Sequence, residues 1–147
     1  MKKLFNVLLA KSIIETVLVG AIALVVYMDA FPPVFHGWGE AVESSQSISG
    51  WVVSDANPWA RIEAQLFIDG KFVSSQVASL PRPDVVAAGW SKDEWHGYNF
   101  VVHGLTAGRH EARVYALHEG GKGYTLQLLG DPIAFEVRPD GDWNVPR

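Results

Sequence analysis

Twelve Lys and Arg stand against 16 Asp and Glu in the 147 residues, a formal charge of −4, and the basic residues do not cluster, which excludes a binder of nucleic-acid backbones. Cysteine is absent, which excludes a disulfide framework, a thiolate nucleophile and a Cys-based zinc site, so any exported fold must rest on its core. With 48% hydrophobic residues the chain has material for one ordinary domain plus a smaller apolar element.

That element comes first. Residues 1–11 form a basic N-terminus with Lys2, Lys3 and Lys11, and Ser12–Phe31 reads SIIETVLVGAIALVVYMDAF. Twenty helical residues at about 1.5 Å each match the roughly 30 Å of a bilayer hydrocarbon core. Glu15 and Asp29 lie near the two ends, within reach of headgroups and water. Three lysines precede the span and no basic residue follows until Arg61, so the positive-inside bias places the N-terminus in the cytoplasm and the rest outside. A cleaved signal would need a short apolar core and a small-x-small site. The best candidate ends at Ala30 with Met28 at a position that should be small, so the segment reads as a retained signal-anchor.

Phe31-Pro32-Pro33 is expected to stop the helix, and residues 32–46, with HGWGEAVESSQS, read as a linker. From residue 32 onward nine Lys/Arg oppose fourteen Asp/Glu, a body of formal charge −5 that anionic lipid would not attract. Strand signals then recur over residues 47–138. SISGWVV carries Ile48 and the Trp51/Val53 pair, with Trp51 expected in the core. RIEAQLFI alternates Ile62, Ala64, Leu66 and Ile68 against polar partners, and Asp69-Gly70 marks a two-residue hairpin into KFVSSQV. GYNFVVH, HEARVYALH, TLQLL and IAFEV follow between Gly-rich breaks, and residues 139–147 read as a polar tail. About seven short strands after one transmembrane helix imply an all-β, antiparallel sandwich.

The break LPRPDVVAAGW, Leu80–Trp90, has a local backbone role for each residue. Asp84 is expected to cap a turn over Val85–Ala88 that ends at Gly89, a good positive-φ residue, with the Arg82/Asp84 pair as a structural motif; the rival reading has that pair touching a ligand.

The ordered set GW (Gly50-Trp51), Pro58, FIDG (Phe67–Gly70), RPDV (Arg82–Val85), HGYNF (His96–Phe100), LTAGRH (Leu105–His110) and RVYA (Arg113–Ala116) resembles bacterial Ig-like modules of cell-surface proteins over about half the chain. The resemblance implies a non-catalytic, Ig-like β-sandwich displayed outside a membrane. Such modules often stand in tandem, whereas one copy follows the anchor here.

The five histidines show no HxH or HExxH spacing, and the aspartates form no calcium loop, so no metal and no cofactor are expected. Ser91, Asp93 and His96 are the nearest approach to a hydrolase triad, without a G-x-S-x-G elbow. The aromatics Trp59, Trp90, Trp95 and Tyr98, in or beside loops, are the candidate ligand-binding residues, their rival role being to cap the open ends of the sheets. The expected function is therefore a membrane-anchored, non-catalytic interaction module. Its partners are the lipid bilayer through the N-terminal helix and an envelope or cell-surface protein; the alternative is a carbohydrate-binding module that takes a glycan on the loop aromatics.

Overall fold

The computed structural model describes residues 2–30, 34–120 and 123–146, and the chain divides into two compact units, an N-terminal helix and a β-rich body. The helix, α1, spans Lys2–Ala30. It therefore starts ten residues before the span expected from hydropathy, because Lys2, Lys3, Asn6 and Lys11 do not break a helix even where they end an apolar run. The expected stop at Phe31-Pro32-Pro33 lies outside the described residues. Among those residues α1 alone is long and apolar enough to cross a membrane, over Lys3–Tyr27. Its leucines, isoleucines and valines stand exposed on every side, as suits a helix solvated by lipid.

Among the described residues the body has ten strands in two antiparallel sheets. The first sheet has the order β1-β2-β6-β5, from β1 (Phe35–Val42), β2 (Ser47–Ser54), β6 (Trp95–Val101) and β5 (Leu80–Pro81). The second runs β10-β9-β7-β3-β4, from β10 (Trp143–Asn144), β9 (Ile133–Val137), β7 (Gly108–Gly120), β3 (Glu63–Ile68) and β4 (Lys71–Val77), while β8 (Gly123–Leu128) pairs with β7. Between β5 and β6 lies a short helix, α2 (Pro83–Ala87).

The period of two in β3 appears as expected. Ala64, Leu66 and Ile68 are buried, and each faces an equally buried residue of β7: Ala116, Val114 and Ala112. Asp69 (φ 51°) and Gly70 (φ 75°) both take positive φ, which fits the twist of a two-residue hairpin. Ile48, Val52, Tyr98 and Phe100 of the first sheet share one buried cluster with Leu66, Val114, Phe135 and Trp143 of the second. Burying a side chain such as Leu66 contributes about 1.5–3 kcal/mol, and no disulfide supplements this core.

Two boundaries differ from expectation. Residues 35–42 are not linker but β1, paired along its whole length with β2, and Phe35 is buried. Its glycines disguised it. Gly39 and Gly50 sit side by side in register under the ring of Tyr98, where a side chain would collide with the Tyr98 hydroxyl. Nor is the C-terminal segment a free tail, because Trp143 is buried and stacks on Phe135 at 4.3 Å. Glu43 Oε1 accepts a hydrogen bond from the Val145 amide at 2.7 Å, and Gln46 Nε2 donates to the Gly141 carbonyl.

Both seams between the sheets are closed by glutamine. The Phe35 amide donates to Gln127 Oε1 at 3.1 Å and Gln127 Nε2 donates to the Phe35 carbonyl at 3.0 Å, so one side chain replaces a strand partner. At the other seam the Asn99 amide donates to Gln76 Oε1 at 3.0 Å. Each side chain satisfies backbone groups that would otherwise be left open at a sheet edge.

Candidate functional site

The outward face of the four-stranded sheet carries a gathering of aromatic and polar side chains. Strand alternation sends Ile48, Gly50 and Val52 inward, so Ser49 and Trp51 point outward. Trp51 is consequently half-buried rather than a core residue, the opposite of its expected place. Directly across the strand pair stands Trp38, 47% exposed. Trp90 lies 6.1 Å from Trp51 and 4.8 Å from His36, ring centre to ring centre. Beside this cluster runs a polar row in register, Glu40, Ser49 and Asn99. A groove of about 410 Å³ includes Ser49, Arg82 and Asn99, and Asn99 Oδ1 is buried with no hydrogen-bond partner among the described residues.

The Leu80–Trp90 connection lies over this face. Arg82 passes its aliphatic stem across Gly97, where a Cβ would come within 2.9 Å of Arg82 Cγ. Val53 and Val85 are buried but stand outside the main core cluster, a small satellite on the outer side of the sheet. The expected cap is corrected here. Arg82, not Asp84, occupies the N-cap position, and the helix begins two residues early because Pro83 is well suited to its first turn. Asp84 instead forms a forked ion pair with Arg82, Nε to Oδ1 at 2.8 Å and Nη2 to Oδ2 at 2.6 Å. That guanidinium holds the Asp84 carboxyl below its usual range. Gly89 does take positive φ, 81°, and ends the turn as expected.

The four aromatics singled out from sequence are dispersed. Trp90 belongs to the face cluster. Trp59, in the loop after β2, and Trp95, at the start of β6, are 60% and 46% exposed, tied together because Arg61 donates to the Trp59 carbonyl and pairs with Asp93 at 2.9 Å, while Asp93 Oδ1 accepts from the Trp95 amide. Tyr98 is buried in the core, its hydroxyl donating to the Trp38 carbonyl at 3.2 Å, and burial pushes its pKa up. Trp38 and His36 were missed because they lay in the presumed linker. Once β1 is recognised, alternation alone puts both on the outer face.

Ser91, Asp93 and His96 do come together, but not as a triad. The Ser91 hydroxyl donates to the Asp93 carbonyl at 2.6 Å, and His96 Nε2 lies 3.2 Å from Asp93 Oδ1 and 3.4 Å from Arg61 Nη1. Burial lowers the His96 pKa against the opposing pull of Asp93, while the Arg61 ion pair lowers that of Asp93. The imidazole is fully enclosed, so its geometry suits bracing of two loops. Among the described residues no group of three or more His, Asp or Glu side chains could hold a metal ion.

No protein-family model matches the chain, and neither the curated proteins nor the solved structures contain a match.

Proposed function

We propose that the protein is a single-pass, membrane-anchored interaction module, with a non-catalytic Ig-like β-sandwich held outside the membrane by a signal-anchor helix and docking an envelope or cell-surface protein. The carrying observation is how apolar surface is divided. Helix α1 leaves its apolar side chains exposed all round, whereas the β body buries a core of its own. A helix of that kind is stable in lipid, and a body with its own core needs nothing from it. The docking surface is the outer sheet face, where Trp38, Trp51 and Trp90 supply apolar area and Glu40 and Arg82–Asp84 a polar rim, the arrangement that concentrates binding energy. The engagement of the Ser91 hydroxyl with a backbone carbonyl supports the non-catalytic reading.

A photo-crosslinking amino acid at position 38 of the full chain, in its native membrane, tests this. A discrete protein adduct that Trp51→Ala abolishes is the expected result, and absence of any adduct overturns it. The same face also favours a second reading, since tryptophan planes beside Ser49, Asn99 and Glu40 can stack on and hydrogen-bond a pyranose. Glycan-array binding lost on Trp38→Ala would select that reading.

A further inference from the structure

Aromatic residues are unevenly shared between the two ends of the β body. The register pairs Phe35 with Ser54, Trp51 with Gly97, Glu63 with Val77 and Ala64 with Ala116. The start of β1, the loop after β2, the loop before β6 and the start of β3 therefore share one end, towards which the later part of β7 and the start of β8 run. Here lie Trp59, Trp90, Trp95 and Tyr124, between 46% and 66% exposed, together with exposed Val34. The opposite end holds the turns 43–46, 69–70, 102–107 and 138–142. Among the described residues these turns contribute Glu43, Asp69, Asp140 and Asp142, and the exposed aromatic at this end is Phe72, on β4 just past the 69–70 turn, against four at the other.

The aromatic end is also where the chain enters the body. The Asp55 amide donates to the Val34 carbonyl at 3.1 Å, so the loop leading to Trp59 begins beside the entering strand. Only residues 31–33 separate Val34 from Ala30, the last residue of α1. Four chain steps reach at most about 14 Å. The chain therefore tethers the start of the body close to the end of the helix that is proposed to span the bilayer.

We infer that Trp59 and Trp95, with Tyr124, seat the β body on the headgroup layer of the membrane that α1 spans. Tryptophan and tyrosine favour this zone because an apolar ring can enter the acyl boundary while N–H or O–H stays with water and headgroups. The body's formal −5 makes attraction to anionic lipid an unsuitable alternative, so the seating is aromatic rather than electrostatic. Trp90 remains with the sheet-face cluster through Trp51 and His36. The consequence is a body held at the surface with its outer face turned to neighbours in the same membrane plane.

This inference rests on the anchor reading, and one preparation separates the two. The full chain is reconstituted into vesicles of phosphatidylcholine brominated on the acyl chain near the headgroup, and into unbrominated vesicles. All six tryptophans lie outside α1, so quenching reports the body alone. The expected result is reduced tryptophan emission in brominated vesicles, with most of the quenching lost in a Trp59→Phe/Trp95→Phe variant whose melting temperature is unchanged. Equal emission in both vesicle types, from protein that floats with the vesicles after an alkaline carbonate wash, overturns the seating and leaves the anchor standing. Protein removed by the wash overturns both. Quenching that survives in the double variant assigns the contact to other tryptophans and also overturns it.

Discussion

The phenol end of Tyr98 sits against Gly50, so that a Cβ on that glycine would stand 2.6 Å from Tyr98 Cζ and closer still to the Trp38 carbonyl. The contact joins three strands, since Tyr98 is on β6, Gly50 on β2 and the accepting carbonyl on β1. Gly50→Ala is therefore expected to cost at least the 1–3 kcal/mol typical of overpacking, because backbone and not a flexible side chain must yield. Tyr98→Phe removes only a hydrogen bond and should cost about 0.5–1.5 kcal/mol. Thermal melts of the two variants check the order, and an equal or reversed order would contradict this packing.

His110 is placed to be charged. Its Nδ1 lies 2.7 Å from Asp69 Oδ2 and its Nε2 2.8 Å from the Thr106 carbonyl, so both ring nitrogens face acceptors. The carbonyl of Thr106, then Asp69, raises its pKa against desolvation. A raised folded-state pKa contributes stability that is full below the unfolded value of about 6.5 and is lost as pH rises through the folded value. The stability difference between wild type and His110→Gln should be largest near pH 5 and shrink as pH rises. Asp69, lowered by the Glu111 amide and then by His110, has the opposite sign: its contribution holds above its unfolded pKa and fades as pH falls through the folded one. A difference that grew from neutral to alkaline pH would refute the assignment.

The Leu80–Trp90 connection separates a surface ion pair from a backbone requirement. Asp84 is 60% exposed on its side chain, so Asp84→Ala should cost no more than the ~0.2–1 kcal/mol of an exposed pair. Gly89→Val, at φ 81°, should cost more, roughly 1–2 kcal/mol. Chemical denaturation of both variants decides it. A larger loss for Asp84→Ala would restore a capping role to that carboxylate.

For the sheet face, Trp51→Ala should weaken binding of whichever partner the crosslink or the glycan array identifies by more than ~1–2 kcal/mol, as loss of a central aromatic anchor does. Phe72→Ala, 57% exposed on the other sheet, should leave affinity unchanged and serves as the control. Equal losses at both positions would remove the face from consideration.

The parts legible in the sequence were those whose signal is local. Alternation in β3, the Asp69-Gly70 turn and the positive φ of Gly89 depend on neighbours a few residues away. What escaped depends on distant partners. β1 looks like linker because Gly37 and Gly39 make room for Leu129 and Tyr98, residues far along the chain. β10 has two residues and owes its place to Trp143 packing on Phe135. The face cluster was readable in part: Ile48 and Val52 share one parity, which already puts Trp51 on the other. The glutamine seams carried no sequence signal, since any glutamine on an edge strand looks alike.

The central claim, a body held outside the membrane by α1, is tested most directly by cysteine accessibility, for which the cysteine-free chain provides a clean background. Single cysteines, one added ahead of Lys2 and one at the exposed position Ser75 as Ser75→Cys, are probed in intact cells with a membrane-impermeant maleimide. Ser75→Cys is expected to label in intact cells, and the N-terminal cysteine only after lysis. Labelling of the N-terminal cysteine with protection of Ser75→Cys would place the body in the cytoplasm, contradicting the topology and the function built on it.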